Sequence, residues 1–441
     1  MPFSLQLTPV PCKRLGAATF ASPLRLAEST MNPHGRFIGE QEWVLGEAEL
    51  NIARTEPFEI QLFEKAGPRE HLYFNPQNTT AAIVTCGGLC PGLNDVIRSL
   101  YMGLHFNYRA ARVLGIRNGY LGLNPQSNLQ PIVLNEKIVD SIHHDGGTIL
   151  GTSRGEQPRS EMVDFLIEQK IDILFCVGGD GTQRGAMALA NEVAARGLRK
   201  AIIGIPKTID NDLLYCDRSF GVVSAIEKAH EVVIQAHTEA KSTLRGIGLV
   251  KVMGRDAGYI ACGAALASQE ANYVLIPEVP FALEGERGLL AHLRDRLRAR
   301  NHAVIVVAEG AGQSYFANEP VVRDKSGHAK KHDIGVYLKQ SIGDYFDALQ
   351  EPVDIKYIDP SYIVRSVPAD SDDRILCDQL ARHAIHAAMA GKTELVICYK
   401  NNKFMHVPMS LVAAGKQQVE VHGDLWSAVL ATTGQPTQFV N

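Results

Sequence analysis

The sequence predicts an α/β fold with two similar lobes, each a largely parallel sheet flanked by helices, and an N-terminal extension ahead of them. From Ala81 onward, short β-rich runs alternate with helical patterns, which is typical of parallel sheets covered on both faces. The chain has 441 residues, more than one such sheet requires, so we expect two lobes. Residues 1–80 show no clean period and contain turn clusters such as Gly67-Pro68-Arg69, which marks them as the extension.

The predicted strands are short runs rich in Val, Ile and Ala. In chain order they are Ala81–Thr85, Val113–Ile116, Ile171–Val177, Ala201–Ile205, Ile247–Val252, Tyr273–Ile276, Ala303–Val307 and Val353–Ile358. The predicted helices are longer and have a helical period. In chain order they are Asp95–Leu104, Glu161–Gln169, Ala186–Arg196, Val222–Ala240, Glu286–Arg300, Ile334–Leu349 and Arg374–Ala390. We assign residues 81–225, with part of 366–395, to the first lobe, 226–365 to the second, and 396–441 to a C-terminal segment packed on the lobes.

Composition and charge exclude several classes of function. Lys and Arg number 44 and Asp and Glu 48, so the net charge of −4 provides no broad positive field for nucleic acid. The apolar run Ala303–Ala308 has six residues, whereas a membrane helix needs about 20. Since the N-terminus also lacks a signal-peptide pattern, we expect a cytoplasmic protein that acts on small molecules and does not bind membranes. The 8 cysteines are too widely spread for a disulfide framework.

Two predicted strands end in glycine-rich turns that open helices, and ligands of open α/β sheets bind beyond such strand ends. The first turn is Cys86-Gly87-Gly88-Leu89-Cys90-Pro91-Gly92-Leu93-Asn94, whose backbone N–H groups can face an anion. The second is Gly178-Gly179-Asp180-Gly181-Thr182, with a carboxylate among the glycines. Asp180 would repel a phosphate unless a cation lay between them, which indicates Mg²⁺. A purely structural Gly-Asp-Gly turn is the alternative.

Two further segments place charged side chains near these turns. Pro206-Lys207-Thr208-Ile209-Asp210-Asn211-Asp212 follows the strand Ala201–Ile205. Asp210 is the candidate general base, because a carboxylate near a metal and a lysine can accept a hydroxyl proton during phosphoryl transfer. Asp212 could instead cap the next helix. Gly151-Thr152-Ser153-Arg154-Gly155 holds an arginine suited to phosphate oxygens, although this motif alone is a weak signal.

Six motifs in one order resemble the phosphofructokinase family, and the resemblance covers residues 65–400. They are Gly-Gly-x-x-Pro-Gly-Leu-Asn, Gly-Thr-Ser-Arg-Gly, Gly-Gly-Asp-Gly-Thr, Pro-Lys-Thr-Ile-Asp-Asn-Asp, Met-Gly-Arg and Tyr-x-x-Arg. The chain looks most similar to the longer, atypical ATP-dependent branch of plants, protists and some bacteria. The resemblance implies Mg²⁺-assisted transfer of a phosphoryl group from ATP to the 1-hydroxyl of fructose 6-phosphate, with the nucleotide on the first lobe and the sugar phosphate on the second. It also implies a homo-oligomer, a dimer or a tetramer.

The same resemblance implies roles for individual residues. Asp210 matches the general base and Asp180 the magnesium ligand, and Arg154, Lys207 and Thr208 are expected at the reacting phosphoryl group. Nucleotide-binding positions are Gly88, Tyr120, Arg154, Gly155, Gly179, Asp180, Gly181 and Thr182. Sugar-phosphate positions are Thr208, Ile209, Asp210, Met253, Gly254, Arg255, Glu309, Lys356, Tyr362, Ile363, Val364 and Arg365. Arg245 joins this set because many members carry a cross-subunit arginine one position later, where this chain has Gly246.

Two positions bear on the phosphoryl donor. Pyrophosphate-dependent members typically carry aspartate at the position of Gly181, where its charge would occupy the space of the nucleotide's α-phosphate. Lys207 is usual in pyrophosphate enzymes but also occurs in the atypical ATP-dependent branch. We therefore expect ATP, with a pyrophosphate-dependent phosphotransferase as the alternative. A NAD- or lipid-kinase-like enzyme shares only the Gly-Gly-Asp-Gly-Thr motif, and an inactive sugar-phosphate sensor should lack Asp180 or Asp210.

Overall fold

The computed structural model describes residues 5–24, 26, 36–49, 58–323 and 330–441. The chain divides into two units that interleave in sequence: the first comprises residues 1–208, 213–220 and 368–415, and the second 209–212, 221–367 and 416–441. The chain therefore leaves the first unit between Thr208 and Ile209, inside a predicted substrate-binding segment. The expected separate segment 396–441 is instead divided after Gly415, because its first part completes the sheet of the first unit.

Strands and helices are numbered in chain order. The strands are β1 Leu5–Val10, β2 Lys13–Arg14, β3 Phe20–Ala21, β4 Trp43–Leu45, β5 Phe58–Lys65, β6 His71–Leu72, β7 Thr80–Thr85, β8 Arg112–Ile116, β9 Ile132–Val133, β10 Ile173–Gly178, β11 Ala201–Pro206, β12 Gly246–Val252, β13 Tyr273–Leu275, β14 His302–Ala308, β15 Asp354–Ile358, β16 Lys392–Thr393, β17 Leu395–Lys400 and β18 Lys403–Pro408. The helices are α1 Leu93–Met102, α2 Glu136–Val139, α3 Arg159–Glu168, α4 Asp180–Ala195, α5 Val222–Lys241, α6 Tyr259–Ser268, α7 Leu289–Arg300, α8 Ile334–Ala348, α9 Ile363–Ser366, α10 Ser371–Met389, α11 Met409–Val412 and α12 Asp424–Thr433. None of the helices in the described ranges is long and apolar enough to span a membrane.

A ten-stranded mixed sheet lies at the centre of the first unit. Its order is β1-β5-β18-β17-β11-β10-β7-β8-β9, with β4 paired to β5 outside this path. The strands β17, β11, β10, β7 and β8 run parallel, whereas β18 and β9 are antiparallel to their inner neighbours. One face packs its apolar side chains against α3 and α4, and α1 and α10 pack on strands of the sheet and on each other. The carboxyl ends of β7, β10 and β11 therefore meet at one edge.

Part of the predicted extension belongs to this sheet. The strand β5 pairs with β18, and a buried ion pair joins Glu64 of β5 to Lys392 of β16. The structure differs from the sequence prediction here: residues 58–62 of β5 alternate apolar and polar side chains, which is the pattern of a half-buried strand and not of an irregular extension. Residues 1–4, 25, 27–35 and 50–57 of the extension lie outside the described residues.

The second unit has a four-stranded parallel sheet in the order β13-β14-β12-β15. Side chains of α7 and α8 pack with one face in a single apolar cluster. Helix α5 contacts β12 and β14, and α6 contacts β13 and β14. The predicted class, α/β with largely parallel sheets flanked by helices, is confirmed, although the two sheets differ in size.

All eight cysteines lie in the described part of the chain and are buried, and none of them forms a disulfide. Burial raises the pKa of several of them, among them Cys86 and Cys262, far above the usual thiol value.

Candidate active site

In the first unit, the turn that follows β7 is held against the end of β10. The Cys86 N–H donates to the Val177 carbonyl at 3.0 Å, so the turn starts at the carboxyl edge of the sheet. Gly92 has φ of 99°, and a Cβ there would lie 2.6 Å from Cys377 Sγ and 2.9 Å from the Phe220 ring. Only glycine fits this position, because both the backbone conformation and the space exclude a side chain.

Lys207 connects the ends of two strands. It follows β11, is 5% exposed, and donates from Nζ to the Gly88 carbonyl at 2.7 Å. Its backbone N–H donates to the Gly178 carbonyl at 3.1 Å. The lysine thus holds the first glycine turn in place and puts a positive charge beside Gly88, one of the predicted nucleotide-binding residues.

The second glycine turn leads directly into α4. The helix begins at Asp180, six residues before the predicted start, because residues read as a turn form its first turn. At Gly178 a Cβ would lie 2.2 Å from Thr182 Oγ1, so the threonine packs tightly on the turn. At Gly181, by contrast, a Cβ meets no atom of the described residues within 4 Å. The helix N-terminus therefore faces open space beside Gly181, where its dipole favours an anion.

Asp180 is buried at this N-terminus and forms an ion pair with Arg184, Oδ2 to Nη1, at 2.8 Å. Within the described ranges, no group of three or more His, Cys, Asp or Glu side chains is arranged to hold a metal ion. A single buried carboxylate fits Mg²⁺ only if phosphate oxygens and waters supply the other ligands, which is the usual arrangement for nucleotide-bound Mg²⁺. The site thus suits a cation that arrives with a phosphate ligand, in competition with Arg184.

The remaining predicted nucleotide residues divide into two groups. Tyr120 is 8% exposed and donates its hydroxyl to the Thr182 carbonyl at 2.8 Å, so it positions the first turn of α4. Arg154 is exposed, and its Nη2 lies 3.6 Å from where a Cβ on Gly88 would be. Gly155 follows with φ of 104°. The guanidinium therefore lies beside the first glycine turn, within reach of a ligand there.

Gln183, which the sequence analysis did not single out, joins the two strand ends. Its side chain is fully buried, and Nε2 donates to the Gly178 carbonyl at 2.8 Å and the Ile205 carbonyl at 3.3 Å. A glutamine three residues after an aspartate gives no special signal in a sequence, so its role appears only in the structure.

In the second unit, Asp210 is half-buried and accepts a hydrogen bond from the backbone N–H of Arg255 at 3.1 Å. Burial, together with the negative charges of Asp212 and Glu309, raises the pKa of Asp210 to about 7. Burial also raises the pKa of Glu309. A carboxylate with a raised pKa is a stronger proton acceptor, which suits a general base.

Asp212 does not cap α5, because the N-cap of that helix is Gly221. Its carboxylate instead accepts from Lys416 Nζ at 2.8 Å, and the same ammonium contacts Asp256 at 2.7 Å. Lys416 thus neutralises two carboxylates near Asp210 and lowers the pKa of Asp256. Neither Asp256 nor Lys416 was predicted. Lys416 lies too far along the chain from its partners for spacing to indicate the contact.

The loops after β12 and β14 are joined by backbone hydrogen bonds. The Glu309 N–H donates to the Val252 carbonyl and the Gly310 N–H to the Gly254 carbonyl, both at 3.0 Å. A Cβ on Gly310 would lie 2.0 Å from the Arg255 carbonyl oxygen, so the loops are in direct contact. The predicted residues Met253–Arg255, Glu309 and Asp210 are therefore brought together at the carboxyl edge of the four-stranded sheet.

The predicted phosphate-binding segment lies around the short helix α9. Tyr362 is 76% exposed, and the Arg365 guanidinium stacks over its ring with 4.6 Å between Cζ and the ring centroid. Ile363 is also exposed, whereas Val364 is fully buried and anchors the segment. Arg365 thus offers a positioned, accessible cation for a phosphate.

Two predicted sugar-phosphate residues are placed away from this group. Lys356 lies in the middle of β15, paired in register with Gly248, and forms an ion pair with Asp354 at 3.1 Å. Arg245 precedes β12 and contacts Glu351 at 3.5 Å. Because β12 has seven residues, Arg245 lies roughly 20 Å from the opposite end of the strand, where Met253 begins. The structure therefore does not bring Arg245 to the Arg255 site of the same chain.

Lys251, near the end of β12, was not predicted. Its ammonium lies 2.9 Å from Asp333 and 2.8 Å from Asp359, which precedes α9. These ion pairs raise the pKa of Lys251 and fix the start of the segment that carries Arg365.

The chain matches the family model described as phosphofructokinase over residues 80–388. It is 46% identical over 411 residues to the ATP-dependent 6-phosphofructokinase of Borreliella burgdorferi, covering 92% of each chain. It is 44% identical over 445 residues to the protein of the same name from Amycolatopsis methanolica, covering 99% of this chain and 97% of that one. A solved pyrophosphate-dependent phosphofructokinase from Marinobacter aquaeolei superposes with a TM-score of 0.67 at 21% identity, over 82% of this chain and 93% of that chain. At this identity the structural likeness concerns the fold alone.

Proposed function

Because the chain belongs to the phosphofructokinase family, we propose that it is an ATP-dependent 6-phosphofructokinase, which transfers a phosphoryl group from ATP to the 1-hydroxyl of fructose 6-phosphate. The products are fructose 1,6-bisphosphate and ADP, as in glycolysis. Relatives that carry this name are 44 and 46% identical to the chain over most of its length. The observation that carries the choice of donor is the open space beside Gly181.

The first unit binds the nucleotide in this proposal. The two glycine turns and the N-terminus of α4 present backbone N–H groups to the phosphates, and Arg154 and Lys207 add positive charge beside Gly88. Asp180 would hold Mg²⁺ together with the phosphate oxygens. The Mg²⁺ ion supplies charge neutralisation of the phosphate oxygens.

The second unit binds the sugar phosphate and accepts the proton. Asp210 takes the proton of the 1-hydroxyl, and its raised pKa makes it basic enough for this task near neutral pH. Glu309 accepts hydrogen bonds from sugar hydroxyls, and Arg255 lies next to both carboxylates. Arg365 stacked on Tyr362 binds the 6-phosphate, which stays unreacted and orients the substrate. Thr208 and Ile209 line the reacting end of the sugar.

Pyrophosphate-dependent transfer is the second candidate, and Lys207 is the observation in its favour. A lysine near a phosphoryl group serves either donor, whereas the space at Gly181 matters only for a donor with an α-phosphate. We further propose that the protein works in the cytoplasm as a homo-oligomer, a dimer or a tetramer. In this assembly a neighbouring subunit supplies a cation for the sugar phosphate, because Arg245 does not reach that site within its own chain.

A comparison of donors tests the proposal. The purified chain is assayed with fructose 6-phosphate and Mg²⁺, with ATP or pyrophosphate at equal concentration. We expect turnover with ATP and loss of turnover when EDTA removes Mg²⁺. Turnover with pyrophosphate and none with ATP would reject ATP as the donor, and no turnover with either would reject the proposed reaction.

A further inference from the structure

Two histidines of the second unit point the same ring atom at each other. His237 lies on α5, and His302 is the first residue of β14. Their Nε2 atoms are 3.3 Å apart. None of the groups assigned to phosphoryl transfer takes part, since Arg255, Glu309 and Asp210 lie at the opposite, carboxyl edge of the sheet.

The other nitrogen of each ring is already engaged. His237 Nδ1 lies 3.1 Å from a carboxylate oxygen of Glu270, and His302 Nδ1 lies 3.0 Å from the backbone carbonyl of Arg300. A carboxylate and a carbonyl accept hydrogen bonds, so each Nδ1 carries the hydrogen of its ring. In the neutral rings both Nε2 atoms therefore present lone pairs across the 3.3 Å gap. Two facing lone pairs repel unless a proton or a metal ion lies between them.

We propose that His237 and His302 form a binding site for a divalent transition-metal ion of the Zn²⁺ type, with both Nε2 atoms as ligands. Nitrogen ligands about 2.05 Å from a tetrahedral Zn²⁺ lie about 3.3 Å from each other, which is the separation in the structure. Histidines that bind metals usually donate the other ring N–H to a carboxylate or a backbone carbonyl, and here Glu270 and Arg300 accept these two bonds. The geometry thus supplies two ligands and both of their orienting partners.

The surroundings set the strength and the type of this site. The positive charges of Arg296 and Lys241 act on His302 and oppose an added cation, whereas the carboxylate of Glu270 favours one. The described residues contain no third ligand in a metal-binding group, so water completes the coordination. Two imidazoles select Zn²⁺, Cu²⁺ or Ni²⁺ over Mg²⁺, which prefers oxygen.

A bound ion would connect the end of α5 to the start of β14. Its main effect is on the stability of the second unit, because a ligand that binds only the folded state raises the free energy of unfolding. This inference is independent of the proposed phosphoryl transfer, since it involves other residues and a different class of ion.

Calorimetric titration of Zn²⁺ into the full-length, chelator-treated protein tests the inference. We expect one stoichiometric site in the native chain and loss of that site in His302→Gln. Glu270→Gln should weaken Zn²⁺ binding 10- to 100-fold, because it removes the carboxylate that orients His237. The Glu270 side chain is 42% exposed, so the substitution should not disturb the fold. Lys241→Gln, at an exposed cation, should tighten it.

The matched control is His143→Gln, because His143 and His144 form another pair of adjacent imidazoles, with ring centroids 3.9 Å apart. This variant should bind Zn²⁺ as the native chain does. Zn²⁺ should also raise the melting temperature of the native chain but not that of His302→Gln. Absence of a stoichiometric site in the native protein, or equal affinity in the native chain, His302→Gln and Glu270→Gln, would overturn the proposal.

Discussion

Replacing Gly181 by aspartate should abolish most ATP use without harming the fold. Gly181 is the second residue of α4, and a Cβ there meets no atom of the described residues within 4 Å. The new side chain therefore causes no clash. Aspartate is only about 0.3 kcal/mol more favourable than glycine inside a helix, and a carboxylate in the first turn raises the free energy of unfolding by about 0.3–1 kcal/mol more. We expect Gly181→Asp to be as stable as the native chain or slightly more stable.

The loss of activity follows from charge repulsion. An added carboxylate about 4 Å from a phosphate oxygen costs roughly 4 kcal/mol at the effective dielectric of a protein surface, and about 1 kcal/mol in bulk water. Each 1.4 kcal/mol corresponds to about a factor of ten. We therefore expect kcat/KM for ATP to fall by between about fivefold, if the site is as polar as bulk water, and about 10³-fold, with KM for fructose 6-phosphate little changed.

Initial rates over a range of ATP concentrations measure this effect, and urea denaturation checks the fold. Gly181→Asn, nearly the same size but neutral, separates charge from bulk and should retain more ATP use than the aspartate variant. Gly343→Asp is the matched control, because a Cβ at Gly343 also meets none of the described atoms within 4 Å. A folded Gly181→Asp variant with kcat/KM for ATP within about threefold of the native value would refute the reasoning.

Three further variants, with four predictions, concern the second unit. Asp210→Asn should lower kcat about 10²- to 10⁴-fold through loss of the base, and a kcat near the native value would contradict this role. The same variant should resist urea better at pH 8 than the native chain. Because the pKa of Asp210 is raised in the folded state, the free energy of unfolding of the native chain falls as pH rises from about 4 to about 7, and asparagine removes that fall. An unchanged urea midpoint would count against the raised pKa. The ammonium of Lys416, between Asp212 and Asp256, lowers the pKa of Asp210, so Lys416→Gln should raise that pKa. The acid limb of the pH profile of kcat/KM should then move to higher pH, and an unmoved limb would argue against this coupling. Arg365→Gln should raise KM for fructose 6-phosphate at least tenfold with KM for ATP and the melting temperature unchanged, since its partner Tyr362 is exposed; equal increases in both KM values would reject a specific phosphate contact.

The strands were predictable because parallel strands buried on both faces read as continuous apolar runs. The predicted Ala201–Ile205 and Ile247–Val252 lie within one residue of β11 and β12 at each end. Helix α6 was missed because its Ala- and Gly-rich sequence shows no apolar stripe. The start of α4 was placed late, since Gly-Asp-Gly has the composition of a turn as well as of a helix N-terminus.

The parts of the candidate site that could be predicted are residues that belong to a recognisable motif and lie soon after a predicted strand. Asp210, Arg255 and Glu309 lie two to five residues after predicted strands, and the structure groups them at one sheet edge. The contact of Lys416 with Asp212 could not be predicted, because it joins residues about 200 positions apart with no motif at the lysine. The pairing of Arg245 with Glu351 likewise depends on tertiary structure. The family resemblance indicates only that Arg245 lies next to the position where many members carry an arginine.

The buried cysteines can serve as natural probes of local unfolding in each unit. Seven of them, Cys12, Cys86, Cys90, Cys176, Cys216, Cys377 and Cys398, belong to the first unit, and Cys262 alone belongs to the second. A buried, protonated thiol is inert toward alkylating reagents and becomes reactive when its surroundings unfold. Pulsed alkylation followed by peptide mass spectrometry would therefore time the opening of each unit separately. A chain whose cysteines contribute nothing to its proposed chemistry thus carries its own probes of local unfolding.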